Sequence, residues 1–201
     1  MLGWPGMMST FTSKDGTPIA CDKSGDGPPL VLVHGTTADH TRWAPVLPAV
    51  RARFTVYACD RRSSGASGDG PSYSMEREVE DVAAVVDGTG GPVDLLGHSY
   101  GAICSLEAAT RAKNLRRLVL YEPPIPAGTP LTPPGVMDRL QALLDAGDRE
   151  GVVSTFMLEV PRVPPDQLDR MRSLPAWQAR VAAAGTSPRA SRQRPIHFRG
   201  G

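Results

Sequence analysis

The sequence predicts an α/β protein: a mostly parallel sheet flanked by helices, with a helical insertion after its last strand. Three observations carry this. From residue 30 to 121, short β-branched-rich runs alternate with helical stretches, the pattern of a parallel sheet with helical crossovers. Leu30-Val31-Leu32-Val33 is apolar throughout, as a strand buried on both faces must be. After Glu122 the strand signals stop and only Pro-rich and helical stretches follow.

Phe11 to Cys21 reads as a hairpin turning at Lys14-Asp15-Gly16. The 30–33 strand ends at His34-Gly35-Thr36. Trp43 to Val50 is expected as one helix, with Pro45 tolerated near its start. Phe54 to Cys59 is the next strand and ends at Asp60. Met75 to Asp87 repeats apolar residues at 75, 79, 82 and 86, a helical period. Glu76 and Glu78 fall in its first turn, where they suit the helix dipole. Gly88, Gly90 and Gly91 end it. A strand over 92–96, a helix over 99–110 and a strand over Leu115–Tyr121 complete the alternation.

Residues 123–135 are Pro-rich. Val136, Leu140, Leu143 and Leu144 predict an amphipathic helix over 136–146, closed by Gly147. Asp148 is placed to cap a second helix, stopped by Pro161, and Pro165 to start a third. The expected organisation is a core over 1–122, a helical cap or lid over 123–184, and a disordered basic tail over 185–201. That tail holds four arginines and no acid, and shows no period.

The formal net charge of +1 and the 21% share of charged residues give no reason to expect a nucleic-acid partner. No run approaches about 18 consecutive apolar residues, so no membrane-spanning helix is expected. Residues 1–10 lack the basic start and apolar core of a signal peptide. Three widely spaced cysteines, Cys21, Cys59 and Cys104, read as reduced core thiols of a cytoplasmic protein, and no metal or cofactor is expected. Cys104 lies one helical turn past Ser99 with no partner near it in sequence, so it is not read as a nucleophile.

Gly97-His98-Ser99-Tyr100-Gly101 carries the chemistry. It is a G-x-S-x-G stretch with a strand before it and a helix former, Ala102 to Ala109, after it. In that context the pattern is a nucleophile elbow, a strained turn that lifts the serine hydroxyl to the carboxyl end of the sheet. Loops at that end are where ligands bind in such sheets. The reaction this implies is acyl transfer, with Ser99 attacking a carbonyl.

These residues resemble the α/β-hydrolase superfamily over about 1–184. Four features match in order: His34-Gly35-Thr36 after its strand, Asp60-Arg61-Arg62-Ser63-Ser64-Gly65-Ala66-Ser67 after the next, the 97–101 elbow, and Tyr121-Glu122-Pro123-Pro124. One departure stands in the second feature, where Ser63 occupies a place usually held by glycine. The resemblance implies a serine hydrolase of a small ester or related acyl substrate. It assigns the oxyanion donors to the backbone N–H groups of Thr36 and Tyr100. It makes His34 a support of the oxyanion loop, not the base. His98 is expected to point away from the nucleophile and His40 to be solvated.

The family order is Ser, acid, His, with the last two on strand–helix units after the lid. Such units need roughly 50–60 residues, and 17 follow residue 184. The sequence-level expectation is therefore a chain truncated at its carboxyl end, with the 115–121 strand left as an exposed edge. Residues 185–201 read either as an out-of-frame ending or as a true short terminus. Glu122 is the candidate acid, and His197 is the one downstream histidine. Two further readings stay open: a catalytically silent small-molecule-binding protein that keeps the pocket, and a cofactor-free haloperoxidase-type enzyme on the same fold.

Overall fold

The computed structural model describes residues 6–125, 132–174 and 176–186. A six-stranded mixed sheet forms its centre, in the order β1-β2-β4-β3-β5-β6. The strands are β1 (Met7–Thr12), β2 (Pro18–Ser24), β3 (Pro29–Val33), β4 (Thr55–Cys59), β5 (Val93–His98) and β6 (Leu115–Tyr121). β1 and β2 form the expected hairpin, and β2 also pairs antiparallel with β4. β4, β3, β5 and β6 run parallel. The chain leaves each parallel strand at the same end of the sheet, so the loops after β3, β5 and β6 come together there.

The apolar runs bury both faces of the central strands, because successive side chains point to opposite sides. On one face Val31, Val33, Tyr57 and Cys59 join the inner sides of α2 (Met75–Gly88) and α3 (Tyr100–Ala109). On the other, Leu30, Leu32, Val56 and Ala58 meet Trp43 and Leu47. α2 begins as its sequence predicts, with Ser74 Oγ accepting from Arg77 N–H. Glu76 and Glu78 nevertheless take different roles. Glu76 is exposed and pairs with Arg111, whereas Glu78 is buried against Arg61.

One expected helix is divided. Residues His40–Trp43 form a 3-10 turn, and α1 covers only Leu47–Arg51. Pro45 has no N–H to continue the first turn, and Pro48 sits in the opening turn of α1, where prolines are tolerated.

Among the described residues four helices follow β6: α4 (Val136–Asp145), α5 (Arg149–Glu159), α6 (Pro165–Arg172) and α7 (Ala176–Ala182). Asp148 caps α5 by accepting from Gly151 N–H. α7 is the element the sequence pattern did not predict; its Trp177 is buried with Leu140, Val153 and Leu168 in a second apolar cluster. Of the expected disordered tail over 185–201, Gly185 and Thr186 are instead ordered, Thr186 being buried with its Oγ1 donating to Ala183 O at 2.8 Å. Residues 187–201, with His197, lie outside the described residues.

The cysteine expectation is corrected. Cys21 and Cys59 form a disulfide, and Cys104 alone of the three is free. The β2·β4 register sets Cys21 directly opposite Cys59, with their Cα atoms 3.9 Å apart. Their separation of 38 residues conceals this pairing until the strands align. Closing a loop of that size restricts the unfolded chain, typically by about 2–4 kcal/mol. A Cys21→Ala/Cys59→Ala variant is expected to lose stability on that scale in urea denaturation. Equal midpoints for variant and parent without reductant would contradict the bond.

Among the described residues no helix is long and apolar enough to cross a membrane, and no group of three or more His, Cys, Asp or Glu side chains comes together as a metal site.

Candidate active site

Ser99 occupies the turn between β5 and α3 with φ 53° and ψ −125°. This is left-handed backbone that a residue with a Cβ enters only under strain, on the order of 1–3 kcal/mol. The turn is held from both sides: Ser99 N–H donates to Tyr121 O at 2.9 Å, and Ser99 O accepts from Ala102 N–H at 2.8 Å. Its glycines are required by close approach. A Cβ on Gly97 would stand 2.6 Å from Ala102 Cα, and one on Gly101 would stand 2.3 Å from His34 O. Thr37 (φ 52°) and Glu122 (φ 49°) are also left-handed, so three of the five described non-glycine residues with positive φ lie in the loops after β3, β5 and β6, at this end of the sheet.

The loop after β3 lies against the elbow. A Cβ on Gly35 would come within 3.0 Å of Ser99 Cβ. Thr36 follows it, facing the same cavity as Ser99. Among the described residues no acceptor takes the N–H of Thr36 or of Tyr100. The Tyr100 N–H belongs to the first turn of α3, where helices leave donors unpaired and favour negative charge.

His34 is fully buried. Its Nδ1 donates to Gly35 O at 2.8 Å, and its Nε2 accepts from Arg61 N–H at 3.1 Å. Both nitrogens are used, so the ring braces the loop as expected. Burial, then the Arg61 charge, push its pKa down to about 4. Protonation is therefore resisted in the folded state. The stability His34 supports is complete above its ordinary value of 6.5 and falls as pH drops from there toward about 4. The window corresponds to roughly 3 kcal/mol at one proton. Histidine NMR titration, with the His34 signal assigned by its loss in His34→Gln, is expected to show that ring still neutral at pH 5; if the His34 ring is protonated there, the account fails.

Arg61 connects the loop to the elbow. Its Nη1 donates to Gly35 O at 3.1 Å, and its guanidinium lies 4.6 Å from the Tyr100 ring centre. It is itself held by buried Glu78, through Nε at 2.5 Å and through Nη2, and by Tyr73 Oη. Arg62, also buried, pairs with Asp81 and Asp15. Neither network is legible in local spacing, because the partners lie on different elements.

Ser63 takes φ 64°, which explains why glycine suits that position. His40 is not simply solvated; its Nδ1 lies 2.9 Å from buried Asp60 Oδ1.

A cavity of about 520 Å³ opens above Ser99. Gly35, Thr36, His98 and Ser99 form its floor. Phe156, Met157 and Val160 of the α5 segment, with Met171 of α6, supply apolar wall, and Arg42, Arg180 and Glu122 bring charge to it. His98 therefore departs from expectation: it faces the cavity. Its ring stacks on Tyr121 at 5.2 Å, and its Nε2 lies 3.7 Å from Glu122 Oε2. Burial, then Arg42, lower its pKa, with Glu122 opposing. Glu122, the candidate acid, does reach the site, but its described partner is His98.

Comparison with known proteins agrees with this architecture. A model of the α/β hydrolase family matches residues 30–198. The 2-(acetamidomethylene)succinate hydrolase of Mesorhizobium japonicum is 29% identical over 164 residues, which are 78% of this chain and 57% of that protein. The pyrrolizixenacetamide deacetylase of Xenorhabdus hominickii is 37% identical over 103 residues, 48% of this chain and 38% of that protein. The chain thus spans little more than half, or less, of these relatives' own lengths. The crystal structure of an α/β hydrolase from Sphaerobacter thermophilus superposes with a TM-score of 0.84 at 41% identity, covering 94% of this chain and 76% of that one.

Proposed function

The chain belongs to the α/β-hydrolase family, and from that premise we propose that it is a serine hydrolase acting on a small ester or related acyl substrate. The observation that carries this reading is the strained Ser99, set at the floor of the cavity beside two N–H donors that find no acceptor among the described residues. Ser99 Oγ attacks the substrate carbonyl. The resulting oxyanion is held by Thr36 N–H and Tyr100 N–H, donors fixed before the reaction begins. Collapse breaks the bond to the leaving group, which departs with the proton given up by the Ser99 hydroxyl, and leaves an acyl-enzyme. Water then attacks this ester, releasing the acid and returning a proton to Ser99 Oγ. Helices α4–α7 serve as a lid, supported by their own apolar cluster and by the wall that α5 and α6 give the cavity. The relatives' names, a hydrolase and a deacetylase, accord with hydrolytic chemistry.

A second reading, binding without turnover, is favoured by one observation. Among the described residues no imidazole is hydrogen-bonded to Ser99: His34 is used on both nitrogens, and His98 is engaged with Glu122. Labelling of the purified chain with a fluorophosphonate probe decides between them. The hydrolase reading expects covalent labelling that Ser99→Ala abolishes, with both proteins folded by circular dichroism. A folded chain that takes no label would refute the hydrolase reading and leave Ser99 a stranded nucleophile.

A further inference from the structure

Two guanidinium groups line the cavity above Ser99 beside a single described carboxylate, Glu122, which faces His98. Arg42 comes from the 3-10 turn after β3 and is exposed. Arg180 comes from α7 and is half-buried, donating one bond from Nη1 to Thr37 O at 3.3 Å. Among the described residues neither lies within ion-pairing distance of an acid. The acids that face them are otherwise occupied. Asp39 accepts from Thr41 N–H at 2.9 Å and from Thr41 Oγ1. Glu122 faces His98. Burial and then the Arg42 charge weaken the hold of Arg180 on its proton, with Asp39 opposing, so the two cations repel across this space.

Like charges brought together beside a partly enclosed cavity are destabilising unless a ligand compensates them. A guanidinium presents a planar fork of donors that matches a carboxylate. We propose that Arg42 and Arg180 form a carboxylate-binding subsite, and that the substrate is an acyl compound with a free carboxylate at one end and an apolar body at the other. The apolar body fits the Phe156, Met157 and Val160 wall. With Glu122 in the same lining, the two arginines leave one positive charge in excess. That balance suits a single carboxylate better than a doubly charged phosphate. The inference rests on the serine-hydrolase reading for the place of the scissile bond, not for the binding of the anion.

The test is calorimetric titration of the Ser99→Ala protein with monobenzyl succinate, benzyl butyrate and monobenzyl phosphate at low salt. Fluorophosphonate labelling of the parent chain is run beside it. The expected result is binding of the succinate monoester on the order of ten-fold tighter than the neutral butyrate. Arg42→Gln and Arg180→Gln should each remove most of that preference without weakening benzyl butyrate. If Arg180→Gln fails to fold, Arg42→Gln carries the comparison, because its exposed side chain makes no described hydrogen bond. Equal affinity for the two carboxylic esters, or no binding of either by a folded chain, overturns the subsite. Tighter binding of the phosphate overturns the carboxylate assignment. Loss of labelling with the succinate preference intact sinks the hydrolase reading and leaves the subsite standing. Intact labelling without that preference does the reverse.

Discussion

Replacing Arg61 with alanine is expected to lower the unfolding free energy by about 3–5 kcal/mol, the cost of leaving one member of a buried ion pair alone. Glu78 is 1% exposed and would keep only the Tyr73 hydroxyl as a donor from this network. The penalty comes chiefly from the stranded carboxylate and not from the lost attraction. The double variant Arg61→Leu/Glu78→Leu should therefore recover much of the loss, since a packed apolar pair avoids the desolvation cost. The site should respond as well. Arg61 fixes Gly35 O and covers Tyr100, so its loss loosens the two segments that carry the Thr36 and Tyr100 N–H groups. Misplacement by about 1 Å is enough for a hundred-fold loss of rate. Urea denaturation and the rate of fluorophosphonate labelling measure the two effects. A single variant within about 1 kcal/mol of the parent would refute the account of the pair.

Gly101→Ala is the second large effect. The added Cβ would meet His34 O at 2.3 Å and Val33 O at 2.6 Å, both backbone atoms where β3 runs into the loop that carries Thr36. No rotamer change relieves that contact. The start of α3 must move away from β3, at a cost of about 1–3 kcal/mol or more. The same movement separates Tyr100 N–H from Thr36 N–H. The expected result is a folded but destabilised protein whose labelling rate falls by a factor on the order of a hundred. Gly147→Ala is the control: that glycine has φ 77° but nothing within 4 Å of its added Cβ, so it should cost stability without slowing labelling. Labelling of Gly101→Ala at the parent rate would show that the close approach has no bearing on the site.

The alternating runs of strand and helix carried most of the fold. Leu30–Val33 and Val56–Cys59 are apolar at every position because both faces of these central strands are covered, a requirement that leaves its mark in any short window. The elbow was equally legible, since its glycines are demanded by contacts within a few residues or with an adjacent strand. The helices from 136 to 172 were marked by Gly147, Asp148, Pro161 and Pro165. α7 was not, because a seven-residue helix offers too short a period to stand out.

By itself, then, the sequence determined the family of the fold, the position of Ser99 and the segments that frame it, because these depend on backbone conformation and on burial patterns that repeat locally. Only the tertiary structure decided which side chains meet. The strand register joined Cys21 to Cys59. The packing of α2 beneath the sheet gave Arg61 its partner in Glu78. The turn of His98 into the cavity and the approach of Arg180 to Arg42 depend on where β6 and α7 lie. Charge pairing and cavity lining are set by distances between elements far apart in the chain, and no local pattern encodes them.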